Sequence, residues 1–108
     1  MLPKKLRLRH KSHFKGIFDG GRSFPGKYVV IYVLPGEQKF GFIASKKVGN
    51  AVIRNRARRL MREVVRLHFS EFKDVQIIFI ARATIKGVSY REVEQSLLKV
   101  LKKADVLK

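Results

Sequence analysis

Arginine side chains are concentrated in one short segment of this 108-residue chain. Residues 54–66 contain six arginines and no lysine: Arg54, Arg56, Arg58, Arg59, Arg62 and Arg66. The planar guanidinium group can donate two parallel hydrogen bonds to a phosphate, which the point charge of a lysine cannot do. Asn55 lies between the first two arginines, and its amide can donate to a phosphate, a ribose hydroxyl or a base edge. The pattern predicts a surface that binds nucleic acid; the alternative is a charged helix face that only contacts water.

Residue types that a protein active site needs are scarce in this chain. The eight carboxylates are scattered, and no pair has a spacing suited to two metal ions or to acid–base work on a glycoside. His10, His13 and His68 do not form a ligand set, and no Gly-Lys-Ser/Thr phosphate loop occurs. Because the chain has no cysteine, a thiol nucleophile and a cysteine metal site are excluded. We therefore expect a binding protein with no catalytic residue and no metal site of its own.

The net charge of +17 indicates a polyanionic partner. A small domain needs a charge of only ~2–8 to stay soluble. Residues 1–66 hold 17 basic and 3 acidic side chains, so we expect the binding surface in this part of the chain. An N-terminal group of basic residues contains no acid: Lys4, Lys5, Arg7, Arg9, Lys11 and Lys15. Nucleic acid is the predicted partner and an anionic membrane surface is the alternative. The arm of residues 1–11 is expected to be disordered in the unbound protein.

Length, composition and charge predict one nucleic-acid-binding domain over residues 1–108. Hydrophobic residues make up 45% of the chain, enough for a folded core. The longest apolar run, Tyr28–Leu34, is far shorter than the ~20 residues of a membrane helix. No apolar signal core follows Lys5, so we expect the protein in the cytoplasm.

The first half of the chain is predicted to form one helix and two or three strands. Apolar residues at helical spacing predict a helix over residues 12–19. The β-branched and aromatic run 28–34 predicts a strand. Residues 40–45 predict a second strand, paired antiparallel with the first through a turn at 35–39. Residues 22–24 give a weaker strand signal.

The second half is predicted to form a helix, a buried strand and a last helix. Asn50 is a candidate N-cap, and the apolar stripe of its helix is Ile53, Ala57, Leu60, Val64 and Leu67. His68 at the end of this helix is expected to interact with the helix dipole. Residues 75–82 are apolar on both faces, which is typical of a central strand. Ser89 and Glu92 form a predicted capping box, and the last helix has an inner stripe of Val93, Leu97, Val100 and Ala104. The order predicts an α+β sandwich with a mixed sheet.

One segment also carries the pattern of a known family. The run Lys46-Lys47-Val48-Gly49-Asn50-Ala51-Val52-x-Arg54-Asn55-Arg56, followed by Arg58-Arg59-Leu60-x-Arg62-Glu63, closely resembles the signature of the bacterial ribonuclease P protein subunit. The resemblance extends over nearly the whole chain, through Leu6-Arg7, Phe14-x-x-x-Phe18, Gly21-x-Ser23 and Ala81-Arg82.

The resemblance implies that the catalyst is a large RNA. The protein is then an accessory that helps this RNA to remove the 5′ leader from precursor tRNA. The implied partners are the catalytic RNA and precursor tRNA, with no membrane and no required protein partner. The implied magnesium ions are bound by the RNA, and the protein itself binds no cofactor. The implied element order is αβββαβα, with an unusual left-handed β-α-β crossover around the arginine helix.

The resemblance also implies two groups of binding residues. The catalytic RNA is contacted by Arg54, Asn55, Arg56, Arg58, Arg59 and Arg62, and the same arginine face extends to Arg66. A cleft between the first helix and the sheet receives the leader through Phe14, Phe18, Tyr32, Lys46, Lys47 and Arg82. The residues themselves leave two alternatives open. Phe14 and Phe18 are core residues, as aromatic residues four positions apart on a short helix usually are, or Tyr28 takes the place of Tyr32.

Other functional classes fit parts of the sequence. A ribosomal protein or an RNA chaperone of the same broad fold would bind structured RNA without a role in cleavage. A basic DNA-packaging protein could insert the arginine helix into a major groove, although Asn55 alone supplies little base readout. A nuclease made of protein alone lacks the necessary acids.

Overall fold

Three helices pack on the two faces of a four-stranded sheet in the computed structural model, which describes residues 2–108. The elements are α1 (Lys11–Gly20), β1 (Arg22–Phe24), β2 (Val29–Pro35), β3 (Lys39–Ile43), α2 (Ala51–Leu67), β4 (Val75–Ala81) and α3 (Tyr90–Lys103). The predicted α+β class and element order are confirmed, including the weakly signalled β1. Within the described range, no helix is long and apolar enough to cross a membrane.

The sheet order β1-β2-β4-β3 differs from the order expected from the sequence. The predicted antiparallel pairing of β2 with β3 is wrong, because β4 lies between them. β4 is antiparallel to β2 and parallel to β3. Its residues are apolar on both faces, and a central position in the sheet removes both faces from water. The β3–α2–β4 segment is therefore a parallel β-α-β unit, as the resemblance implies; its left-handed sense stays a prediction.

The main core lies between the sheet and the helices α2 and α3. Helix α2 buries Ala57, Met61, Val64 and Val65, so the predicted stripe is partly wrong. Leu67 is 53% exposed, because the buried face of α2 is rotated away from it, toward Met61 and Val65. Helix α3 buries Val93, Leu97, Val100 and Leu101, and Ala104 is half-buried because it already follows the helix as its C-cap.

Both predicted helix caps form, one of them in a different way. Asn50 Oδ1 accepts a hydrogen bond of 3.0 Å from the backbone N–H of Ile53. Ser89 Oγ likewise accepts from the Glu92 N–H at 3.3 Å. The Glu92 carboxylate accepts from the Ser89 hydroxyl and the Tyr28 hydroxyl instead of the backbone N–H predicted for a capping box, since Tyr28 approaches it from the sheet side. The caps fix where α2 and α3 begin.

The opposite face of the sheet is covered only in part. Helix α1 crosses this face, where Leu8, Ile17 and Ile78 form a small buried cluster. Leu6 and Leu8 of the N-terminal arm are buried, and Arg7 forms a parallel bridge with Phe40 along the edge of β3. The expected disorder of this arm before RNA binds stays a prediction.

Candidate nucleic-acid interface

The arginines of α2 point in several directions around the helix. Arg56 turns toward the start of α3, where its Nη2 donates to the Val88 carbonyl at 2.8 Å. Arg54 is half-buried, and its Nε has no hydrogen-bond partner within residues 2–108. Helical spacing sets these two guanidinium groups on nearly opposite sides of α2. The Arg-Asn-Arg segment therefore does not present both arginines on one face.

An outward face of α2 is formed by residues spaced by three or four positions. Val52, Asn55, Arg59 and Arg66 are exposed on this face, and Arg62 is half-buried beside them. Asn55 Oδ1 accepts a hydrogen bond from Arg58, which leaves the amide N–H donors of Asn55 for an external acceptor. Val52 is 77% exposed and was missed by the sequence reasoning, although the same spacing from Asn55 could have revealed it.

Arg66 is partly neutralised by its neighbour Glu63. Arg66 Nε donates to Glu63 Oε2 at 3.1 Å, and Arg66 Nη2 donates to Oε1 of the same carboxylate. These hydrogen bonds lower the pKa of Glu63 and raise the pKa of Arg66. Arg59 and Arg62 form no ion pair within the described chain. They are consequently the strongest phosphate-binding candidates of this face.

Aromatic side chains lie on the sheet face that α1 leaves open. The Phe18 and Tyr32 rings meet edge to face with centroids 4.9 Å apart, and Phe18 remains 38% exposed. Half-buried Val30, Ile43 and Ile80 continue this face. Tyr28 is not an alternative to Tyr32. It precedes β2, is only 8% exposed and belongs to the core on the α3 side of the sheet.

Phe14 packs directly over Gly41 of β3. A Cβ atom on Gly41 would lie 2.7 Å from Phe14 Cε1 and 2.8 Å from Phe14 Cζ, too close for any real contact. Phe14 is half-buried against the Leu8–Ile17–Ile78 cluster, so the ring serves packing and also borders the open face. The sequence reasoning missed Gly41, whose only signal was a glycine inside an otherwise apolar strand.

The predicted cations collect at one end of the sheet. Because β3 and β4 are parallel, with Ile43 opposite Ile80, their carboxyl ends lie side by side. Lys46 and Lys47 are exposed in the turn after β3. Arg82 follows β4 directly and donates from Nη1 to the Gly26 carbonyl at 2.9 Å. Arg82 is four residues beyond Ile78, which pairs with Tyr32 in the sheet. The distance along the strand from Tyr32 to Arg82 is therefore about 13 Å.

Comparison with known proteins identifies the family. The family model described as Ribonuclease P matches residues 2–105 of the 108. The chain belongs to this family. The ribonuclease P protein component of Syntrophomonas wolfei is 36% identical over 108 residues, covering 96% of this chain and 91% of the relative.

Two solved structures of ribonuclease P proteins have the same fold as this chain. The RNase P protein from Staphylococcus aureus superimposes with a TM-score of 0.88 at 33% identity and covers 95% of this chain and 98% of that one. The Thermotoga maritima protein gives a TM-score of 0.82 at 28% identity, covering 90% and 96%. The protein component of ribonuclease P is part of an endoribonuclease of RNA and protein that processes tRNA, and it associates with the ribonuclease P RNA.

A separate polar network joins α2 to α3. His68 caps the end of α2, and its Nδ1 and Nε2 lie 2.6 Å from Glu71 Oε2 and 2.8 Å from Glu94 Oε2. Tyr90 donates to the same Glu94 oxygen at 3.1 Å, and burial raises the pKa of this tyrosine to about 12. The helix-end position was predicted, but the two carboxylates were not.

We expect the stability of the protein to fall as the pH rises through the titration of His68. Hydrogen bonding to Glu94, reinforced by Glu71, raises the pKa of His68 above 6.5 in the folded state. This stabilisation is therefore complete below pH 6.5 and is lost as the pH rises through the raised pKa. The free energy of unfolding in urea, measured from about pH 6 to about pH 9 for the wild type and for His68→Gln, tests this expectation. The advantage of the wild type should shrink with rising pH, and a constant difference would contradict the assignment.

Proposed function

We propose that this protein is the accessory subunit that holds the 5′ leader of precursor tRNA against the catalytic RNA of ribonuclease P and so promotes removal of the leader. The observation that carries the proposal is the presence of two different RNA-type surfaces on opposite sides of one sheet. α2, with its arginines, packs on one face, and the Phe18–Tyr32 pair lies on the other. A protein that binds two RNAs at once needs two such surfaces.

The open sheet face suits an unpaired leader. Bases stack on aromatic rings with about 1–3 kcal/mol each and with little regard to sequence, so one face can accept many leaders. Phe18 and Tyr32 offer such rings, and the half-buried Phe14 borders them. Lys46, Lys47 and Arg82 lie at the end of this face, where they can meet the phosphates of a strand that runs along β4.

The outward face of α2 suits a structured RNA. Arg59 and Arg62 present fork-shaped donors for phosphate oxygens, with Asn55 and Arg58 beside them and Arg66 paired with Glu63. Arg54 and Arg56 lie on either side of this face. Arg56 uses one N–H donor for the Val88 carbonyl, and Arg54 has its Nε buried. The other N–H groups of each guanidinium remain available to bind RNA. Val52 adds an apolar surface that can pack on a ribose or a base.

The proposal assigns the magnesium ions for cleavage to the RNA subunit. Within residues 2–108 no three histidine, aspartate or glutamate side chains lie close enough together to hold a metal ion. The protein acts through charge: its cations reduce the repulsion between the two RNAs. Less magnesium is then needed to bring substrate and catalyst together.

Reconstitution tests the proposal directly. The protein is mixed with a bacterial ribonuclease P RNA and a precursor tRNA, at a magnesium concentration too low for the RNA alone. Cleavage at the mature 5′ end is expected only when RNA and protein are both present. Tight RNA binding without stimulated cleavage would instead indicate a ribosomal protein or a chaperone. Cleavage by the protein alone would refute the assignment of the active site to RNA.

Gly41→Ala should weaken leader binding by displacing the Phe14 ring. The added Cβ atom would lie 2.7 Å from Phe14 Cε1, which is too close, so the Phe14 ring must move away from β3. We expect several-fold lower affinity for precursor tRNA and unchanged affinity for mature tRNA. Gly16→Ala is the matched control, because its Cβ would meet no atom within 4 Å and it lies in the same helix as Phe14. Equal effects of the two substitutions on precursor tRNA binding would contradict a role of the Phe14–Gly41 contact in leader binding.

A further inference from the structure

A second cluster of cations lies at the edge of β3, where the N-terminal arm meets the start of α1. Five lysines and arginines line a shallow recess of about 280 Å³ together with His10, the N-cap of α1, and His13 in its first turn: Lys4, Lys5, Arg7, Arg9 and Lys39. We name it the arm recess. It lies apart from the aromatic face, because helical spacing places His13 on the side of α1 away from Phe18.

Backbone contacts hold the arm recess in shape. The Leu8 N–H donates to the Phe40 carbonyl at 2.9 Å, and the Lys39 ammonium donates to the Lys5 carbonyl. The buried side chains of Leu6 and Leu8 fix the arm on either side of Arg7. In the folded chain these contacts hold the cations of the arm beside Lys39 at the edge of β3.

The positive charge of the arm recess is unbalanced. No carboxylate lines it, and none of its five lysines and arginines forms an ion pair within residues 2–108. Lys15, by contrast, pairs with Asp19, and Arg66 pairs with Glu63. Cations held together repel one another, and a bound polyanion relieves that repulsion.

The arm connects this recess to the outward face of α2. Leu2 lines a small recess with Arg59, Arg62 and the Arg66–Glu63 ion pair. The Leu2 carbonyl accepts a hydrogen bond of 2.9 Å from Arg7 Nε. One basic track therefore runs from α2 across the arm to β3. An RNA that lies on α2 can continue along this track without leaving the positive surface.

We propose that the arm recess binds the phosphodiester backbone of the catalytic RNA, as an extension of its contact with α2. The inference rests on the proposed function, because the RNA on α2 is taken to be the catalytic one. Exposed Lys4, Lys5 and Arg9 make the contacts, and Arg7 positions the arm through its bond to Leu2.

The test compares two triple variants of equal charge loss. The first is Lys4→Gln, Lys5→Gln and Arg9→Gln; the control is Lys99→Gln, Lys102→Gln and Lys103→Gln on the exposed side of α3. Affinity for ribonuclease P RNA alone is measured over a range of salt concentrations, with circular dichroism to verify folding. Each lost phosphate contact should lower the log–log salt slope by about 0.7–0.9, so the first variant should lose about 2 to 3 and the control much less.

The possible outcomes separate the two proposals. Wild-type protein that fails to bind ribonuclease P RNA overturns the proposed function itself. If the wild type binds and both variants lose the same slope, the effect is general charge and only the arm-recess inference falls. If the first variant binds ribonuclease P RNA as the wild type does, but the enzyme reconstituted with it loses affinity for precursor tRNA, the arm recess binds the substrate. The inference that it binds the catalytic RNA is then overturned.

Discussion

Tyr32→Ala is expected to weaken binding of leader-bearing precursor tRNA to the reconstituted enzyme roughly 5- to 150-fold, the equivalent of one lost base stack of about 1–3 kcal/mol. The ring is half-buried on the open face and touches Phe18 edge to face at 4.9 Å. Mature tRNA has no leader, so its affinity should not change. The measurement is the dissociation constant of both ligands at a fixed salt concentration, because salt alters every RNA contact.

Tyr32→Phe separates the ring from its hydroxyl group. If stacking dominates, the phenylalanine variant should bind precursor tRNA almost as well as the wild type. An equal loss of precursor and mature tRNA binding by Tyr32→Ala would show that the residue supports the fold or the RNA contact. The leader assignment would then fail.

The second large effect is expected at the outward face of α2. Replacing Arg59 and Arg62 by glutamine should lower the slope of log affinity for the catalytic RNA against log salt by about 1.4–1.8, at 0.7–0.9 for each contact. Neither arginine has an ion-pair partner in the described chain, so folding should be little affected. Binding measured at four or more salt concentrations gives the slope.

Arg56→Ala provides an informative contrast with this pair. Its guanidinium group donates to the Val88 carbonyl, so its loss should also lower the free energy of unfolding by about 1 kcal/mol. Lys102→Gln with Lys103→Gln removes the same charge from α3 and should leave the slope nearly unchanged. A slope unaffected by the change at Arg59 and Arg62 would mean that α2 meets the RNA through another face.

Local patterns predicted the elements well, but not how they are arranged. Apolar spacing and capping residues identified each helix to within about two residues, because helix signals are local in sequence. The short link at 35–39 favoured a hairpin, and the pairing failed because β4, some thirty residues later, has more apolar surface to bury between the two strands. Strand order depends on such competition between distant segments, which no local pattern records.

The same distinction holds for the candidate site. Residue chemistry alone indicated an arginine-rich nucleic-acid surface and a chain without catalytic residues. The choice of RNA as the ligand and the positions of the leader residues came from the family pattern. The separation of Arg54 from Arg56 depends on how α2 rotates against the core. The hydrogen bond from His68 to Glu94 joins residues 26 positions apart in the sequence. The close contact of Phe14 with Gly41 likewise joins two elements, α1 and β3. These features arise from tertiary packing.

The central position of β4 has a consequence for synthesis of the protein. While the ribosome makes the chain from its amino end, β2 and β3 emerge early, yet neither can pair with its native neighbour in the middle of the sheet until residues 75–81 have been made. The arginine helix emerges in that interval, before β4 completes the sheet against which it packs. Both proposed RNA surfaces thus form late and together, and a nascent chain that stops before β4 should engage neither RNA in its native manner.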